Sequence, residues 1–101
     1  MIPQTTTESV QTLGLDDIIA RGAAMVEQVG TEVALIDLRT HRVSTLNETG
    51  AVIWSQLEEP TTVRACAEAV ATATATSFDH VAEDTCSFVT ALLQRGLVIR
   101  A

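Results

Sequence analysis

Few side chains in this sequence could do chemistry. Histidine occurs only as His41 and His80, and cysteine only as Cys66 and Cys86. Zinc sites gather three or four Cys and His ligands at close spacing. His80 and Cys86 stand six positions apart, which turns them to different sides of a helix. No C-x-x-C or H-E-x-x-H accompanies them. The pairs Glu58-Glu59 and Glu83-Asp84 bring carboxylates together in sequence. Neighbours do not face each other on a helix, so these pairs read as solvated surface rather than as a general acid and base. There is no G-x-S-x-G, no phosphate-binding loop and no dinucleotide fingerprint. Nothing here argues for an enzyme, a metal or a cofactor.

The balance of charge narrows the partners. The chain of 101 residues carries 13 acidic and 6 basic residues, a net charge of -7. All the basic residues are Arg. Binding to DNA or RNA relies on a basic footprint that releases phosphate counterions, and this chain has the opposite. Three aromatic residues, Trp54, Phe78 and Phe88, are too few for a base-stacking platform. The cysteines lack the dense spacing of a secreted framework and read as small buried hydrophobes in a reducing compartment. No basic start with an apolar core marks a signal peptide, and the longest apolar runs are four residues against about 20 for a membrane span. A cytoplasmic protein without a membrane partner is expected.

The elements follow from periodicity. Residues 1–13 are polar and Thr-rich and read as a flexible tail, leaving one domain over 14–101. Residues 15–20 suit a helical turn or an extended lead-in. Residues 24–29, 32–38 and 42–46 read as three short strands joined by tight turns, an antiparallel meander. The middle one is apolar on both faces, as a central strand is. Asn47 then caps a first helix, whose Gly50, Ile53, Trp54 and Leu57 fall on one face. Thr61 or Thr62 caps a second, with Val63, Cys66, Ala67 and Val70 inward and fraying expected near Thr74. Ser77 or Asp79 caps a third, striped by Val81, Thr85, Phe88, Val89 and Leu92. Arg95 near its end and Gly96 after it form a stop signal. Residues 97–99 make a closing strand or apolar tail. The expected class is α+β, a three-stranded antiparallel sheet followed by three helices.

Several of these segments resemble one family. Leu15-Asp16-Asp17 with Ile19-Ala20-Arg21, then Val33-Ala34-Leu35-Ile36-Asp37-Leu38, then Leu46-Asn47-Glu48-Thr49-Gly50-Ala51 with Ile53-Trp54 and Leu57 occur in order. Val81, Asp84, Phe88-Val89, Leu92 and Gly96-Leu97-Val98 follow. Together they resemble the PqqD-like family, the peptide-recognition elements of ribosomal peptide biosynthesis, over more than four fifths of the chain. Two departures stand out. The family often has Gly in the turn where this chain has His41, and an aromatic in the third strand where it has Val43 and Ser44.

The resemblance implies a winged helix-turn-helix-like fold and a non-catalytic role. Such proteins capture the leader segment of a precursor peptide as an added strand beside the third helix. They present it to a maturation enzyme such as a radical enzyme, a cyclase or a leader protease. A stand-alone member is implied, with a lasso-peptide or related actinobacterial pathway preferred. On this reading Arg42, Val43, Ser44 and Thr45 form the pairing edge, and His80, Asp84, Phe88 and Ala91 the facing helix stripe. Arg42 would meet an acidic leader residue and Asp84 a basic or hydroxyl one. Each has a plainer role: Phe88 as core, Asp84 for the helix dipole, Ala91 as a helix former, Arg42 as a guard against edge aggregation. Two other functions compete. One is an adaptor that positions a partner enzyme. The other is a winged-helix DNA-binding regulator, disfavoured by Asp79, Glu83 and Asp84 on the third helix. A monomer or weak dimer is expected, since pairing of two edges would block the groove.

Overall fold

A computed structural model describes residues 12–30 and 32–101. The expected tail lies outside the described residues over 1–11. The core begins at Leu13, which is 2% exposed and whose N–H donates to Thr90 Oγ1 at 3.1 Å.

Among the described residues, two antiparallel three-stranded sheets and three helices make up an α+β domain. The first sheet joins distant parts of the chain. β1 (Ile18–Arg21) lies between β5 (Thr61–Thr62) and β6 (Val98–Arg100). Residues 15–20 therefore resolve into a turn and a strand, and the apolar end into a strand paired with it. Gly22 continues this contact. Its N–H donates to the Leu97 carbonyl at 2.9 Å, and a Cβ there would collide with the Gly96 carbonyl.

The second sheet is the expected meander, in the order β2 (Ala24–Val29), β3 (Glu32–Asp37), β4 (Val43–Leu46). β3 is central, as its two apolar faces require. Leu35 and Asp37 are buried on one face, while Ala34 and Ile36 are half-buried on the other. Arg42 precedes β4 and belongs to the turn. His41 in that turn sits at φ 63°, the left-handed region that glycine adopts without steric cost.

The helices follow their caps. α1 (Glu48–Gln56) starts where the Gly50 N–H donates to Asn47 Oδ1 at 2.7 Å. α2 (Val63–Thr74) starts where the Ala65 N–H donates to Thr62 Oγ1 at 3.1 Å. α3 (Phe78–Gln94) follows Ser77, whose hydroxyl makes no capping bond. It ends in a Schellman closure: the Leu97 N–H reaches the Leu92 carbonyl, the Gly96 N–H reaches the Leu93 carbonyl, and Gly96 lies at φ 78°.

One core unites the two sheets and the three helices of the described residues. Ile19, Leu35, Ile53, Val63, Cys66, Val89 and Val98 are each at most 1% exposed within it. Trp54 is buried too. Arg21 lies 4.9 Å over its ring and donates to its carbonyl at 2.8 Å. The indole N–H itself has no hydrogen-bond partner among the described residues.

Candidate functional site

The site forms where β4 meets α1 and α3. β4 pairs with β3 on one side only, and among the described residues its other edge has no neighbour. The ladder decides which groups that edge offers. The Asp37 N–H donates to the Arg42 carbonyl at 2.9 Å, and the register pairs Leu35 with Ser44 and Val33 with Leu46. Antiparallel pairs alternate in bonding, so Ser44 and Leu46 turn their backbone groups to β3. Val43 and Thr45 turn theirs outward. That leaves two N–H and two C=O groups for another strand. Both residues are exposed, Val43 at 63%.

A cleft of about 410 Å³ opens where β4 ends. Asn47, Gly50 and Ile53 form one wall, Val81, Asp84 and Phe88 another, and Val70 and Thr74 of α2 contribute to it. Gly50 sets its width. A Cβ there would stand 3.1 Å from Phe88 Cζ and 3.3 Å from Leu46 Cδ2, so these side chains press against bare backbone. Phe88 is half-buried, packing on the core while lining the cleft.

The eight residues singled out from sequence separate. Val43, Ser44 and Thr45 lie on β4, Val43 and Thr45 with their backbone groups outward, and Arg42 just before it. Asp84 and Phe88 share the cleft. Ala91 borders a second cleft of about 400 Å³ on another side of α3, with Leu13, Cys86 and Thr90. His80 is exposed at the start of α3 and lines neither cleft. In sequence Arg95 marks only the end of a helix. Its guanidinium crosses from α3 to donate to the Ser44 hydroxyl, bridging helix and edge strand. The signal was present: Arg95 continues the stripe of Asp84, Phe88 and Ala91 at i+11, i+7 and i+4. In sequence the cleft residues of α1 and α2 carry only the signals of caps and core, because a cleft wall and a core face share one periodicity.

The groups whose pKa is shifted lie outside the cleft beside β4. Burial pushes the Cys66 thiol up to about 11, and both cysteines are free. Burial also raises Cys86, helped by the charge of Asp17. Backbone N–H bonds from Arg39 and Thr40 hold Asp37 below the usual carboxylate range, against a smaller effect of burial. Among the described residues no group of three or more His, Cys, Asp or Glu is placed to hold a metal. No described helix is long and apolar enough to cross a membrane.

Neither the curated proteins nor the solved structures contain a match to this chain. A family model does match it. Residues 32–98 fit the one described as coenzyme PQQ synthesis protein D (PqqD). The matched stretch runs from β3 to the first residue of β6. It therefore contains the edge strand, the cleft and the whole of α3. On that match over well more than half its length, the chain belongs to the PqqD family.

Proposed function

We propose that this protein is a non-catalytic partner in the biosynthesis of a ribosomally made peptide product. It binds the leader segment of the precursor as an added strand on β4 and holds it for a maturation enzyme. Family membership supports the general role. The observation that carries the specific one is the edge of β4 that has no neighbour among the described residues, with the outward backbone of Val43 and Thr45 near an open cleft.

Magnitudes say why both parts are needed. Four backbone bonds at about 0.5–1.5 kcal/mol each contribute about 2–6 kcal/mol. Association itself costs on the order of 4–15 kcal/mol. Backbone pairing therefore sets register and direction. Apolar side chains seated against Ile53, Val81 and Phe88 supply the remaining affinity and the selectivity. The exposed Asp79, Glu83 and Asp84 on α3 speak for a peptide over nucleic acid.

The test uses proline on the free edge. Proline at Thr45 removes an outward N–H without touching the β3 ladder. Thr45→Pro is expected to weaken binding of a fluorescein-labelled leader segment of a candidate precursor by about two- to twelvefold, read by anisotropy. The thermal midpoint should move little. Undiminished binding in this variant would remove β4 from the site.

The adaptor reading has its own support on the outer face of the same sheet. There Met25, Ile36 and Val43 form one cross-strand row, with Met25 and Val43 49% and 63% exposed. A maturation enzyme seated on this row would leave the edge free for the leader, so the two roles are compatible.

A further inference from the structure

The six arginines divide unevenly. Arg64 and Arg100 stand 3.0 Å from Asp16 and 3.3 Å from Asp17. Arg21 is taken up by Trp54. The other three gather where the β3–β4 turn meets the end of α3. Arg39 lies 3.7 Å from Asp37 and donates to the Arg95 carbonyl at 3.0 Å. Arg42 and Arg95 make no ion pair among the described residues, although the chain carries 13 carboxylates. Arg95 donates to a neutral partner, the Ser44 hydroxyl, on the very strand whose far edge is open. The other end of the same stretch carries the opposite charge, with Asp84 in the cleft wall.

A guanidinium prefers a carboxylate, which accepts two of its N–H groups in a fork, over a single hydroxyl. Rest on Ser44 therefore leaves most of its bonding capacity unused. The geometry points to Arg95 as a specificity residue. It exchanges the Ser44 hydroxyl for the side chain of an Asp or Glu in an extended peptide docked on β4, with Arg42 adding to the attraction. This inference rests on the strand-docking reading and names the chemistry of its occupant. It also sets a spacing. Phe88 and Arg95 are seven residues apart on α3, about 10 Å along the helix axis. That distance spans about three residues of a strand. The acidic residue should thus stand about two to four positions from the apolar residue that enters the cleft beside Phe88.

The probe is a displayed library of random 12-residue peptides, selected in parallel on the full chain, on Arg95→Gln and on Thr45→Pro. Arg95 is exposed and its helix-end bonds are made by its backbone, so Arg95→Gln keeps the fold. The wild-type pool is expected to be enriched in one Asp or Glu at the stated spacing from an apolar residue. The Arg95→Gln pool should keep the apolar residue and lose the acid. Changing that acid to its amide in a selected peptide should weaken binding to the wild type about three- to tenfold and leave binding to Arg95→Gln unchanged. Acid preference absent from the wild-type pool, or retained on Arg95→Gln, overturns the inference while leaving strand docking in place. A library without binders, or binders equally held by Thr45→Pro, overturns strand docking and this inference with it.

Discussion

Asp37 shows how one carboxylate shapes the edge strand. It closes β3, accepts the Arg39 N–H at 2.8 Å and the Thr40 N–H at 3.3 Å, and so sets the turn that leads into β4. The same turn delivers Arg39 to the Arg95 carbonyl, where a Cβ on Gly96 would collide with the guanidinium. These bonds favour the ionised form and lower the folded pKa below its ordinary 3.8. A group depressed in this way stabilises the fold fully above its unfolded value. That contribution disappears as pH falls through the lower folded value. Urea unfolding followed by the emission of Trp54, the single tryptophan, should therefore show a loss of stability below about pH 4. Asp37→Asn should lose part of that acid dependence, with Asp17, also lowered by a backbone bond from Gly14 and by Arg100, retaining its own share.

Two helix ends with one geometry allow a comparison between elements. Like α3, α2 closes with paired bonds: the Thr76 N–H reaches the Ala71 carbonyl at 3.0 Å and the Ala75 N–H the Thr72 carbonyl at 3.3 Å. In α3 the left-handed residue is Gly96, but in α2 it is Ala75, at φ 55°. A left-handed L-residue costs about 1–2 kcal/mol, and glycine gives back part of that in unfolded-chain entropy. Ala75→Gly is expected to raise stability by about 0.5–1 kcal/mol in the same denaturation assay. The alternation of Ala and Thr over 71–76 suggests fraying. The helix does end at Thr74, but on a closed cap rather than a loose turn.

At the scale of the molecule, burial is uneven. β1 is paired on both sides, and Ile19 within it is fully buried. Among the described residues β2 pairs only with β3, and it is exposed except at half-buried Ala24. Local opening follows such differences in buried contact. Amide hydrogen exchange should therefore be fastest in β2 among the strands of the meander and slowest in α2, α3 and β1, by about tenfold or more between the groups. Equal protection across both sheets would contradict this account of where the fold is held.

Local rules in the sequence determined much of this protein. Period-two and period-3.6 patterns marked the meander and the three helices, and Asn47, Thr62 and Gly96 marked their ends, because these signals act between residues close in the chain. The motifs from Leu15 to Val98 also carried the family resemblance. Tertiary structure alone decided the first sheet, whose strands of two to four residues are too short for periodicity and form only because β5 and β6 meet β1. It also divided the proposed site. Helical spacing says which residues share a face, but not which wall stands opposite. Asp84 and Phe88 met the cleft, Ala91 met another surface, and Arg95 met Ser44 across 51 residues of chain. Those meetings depend on how sheet and helices pack, and no local pattern encodes them.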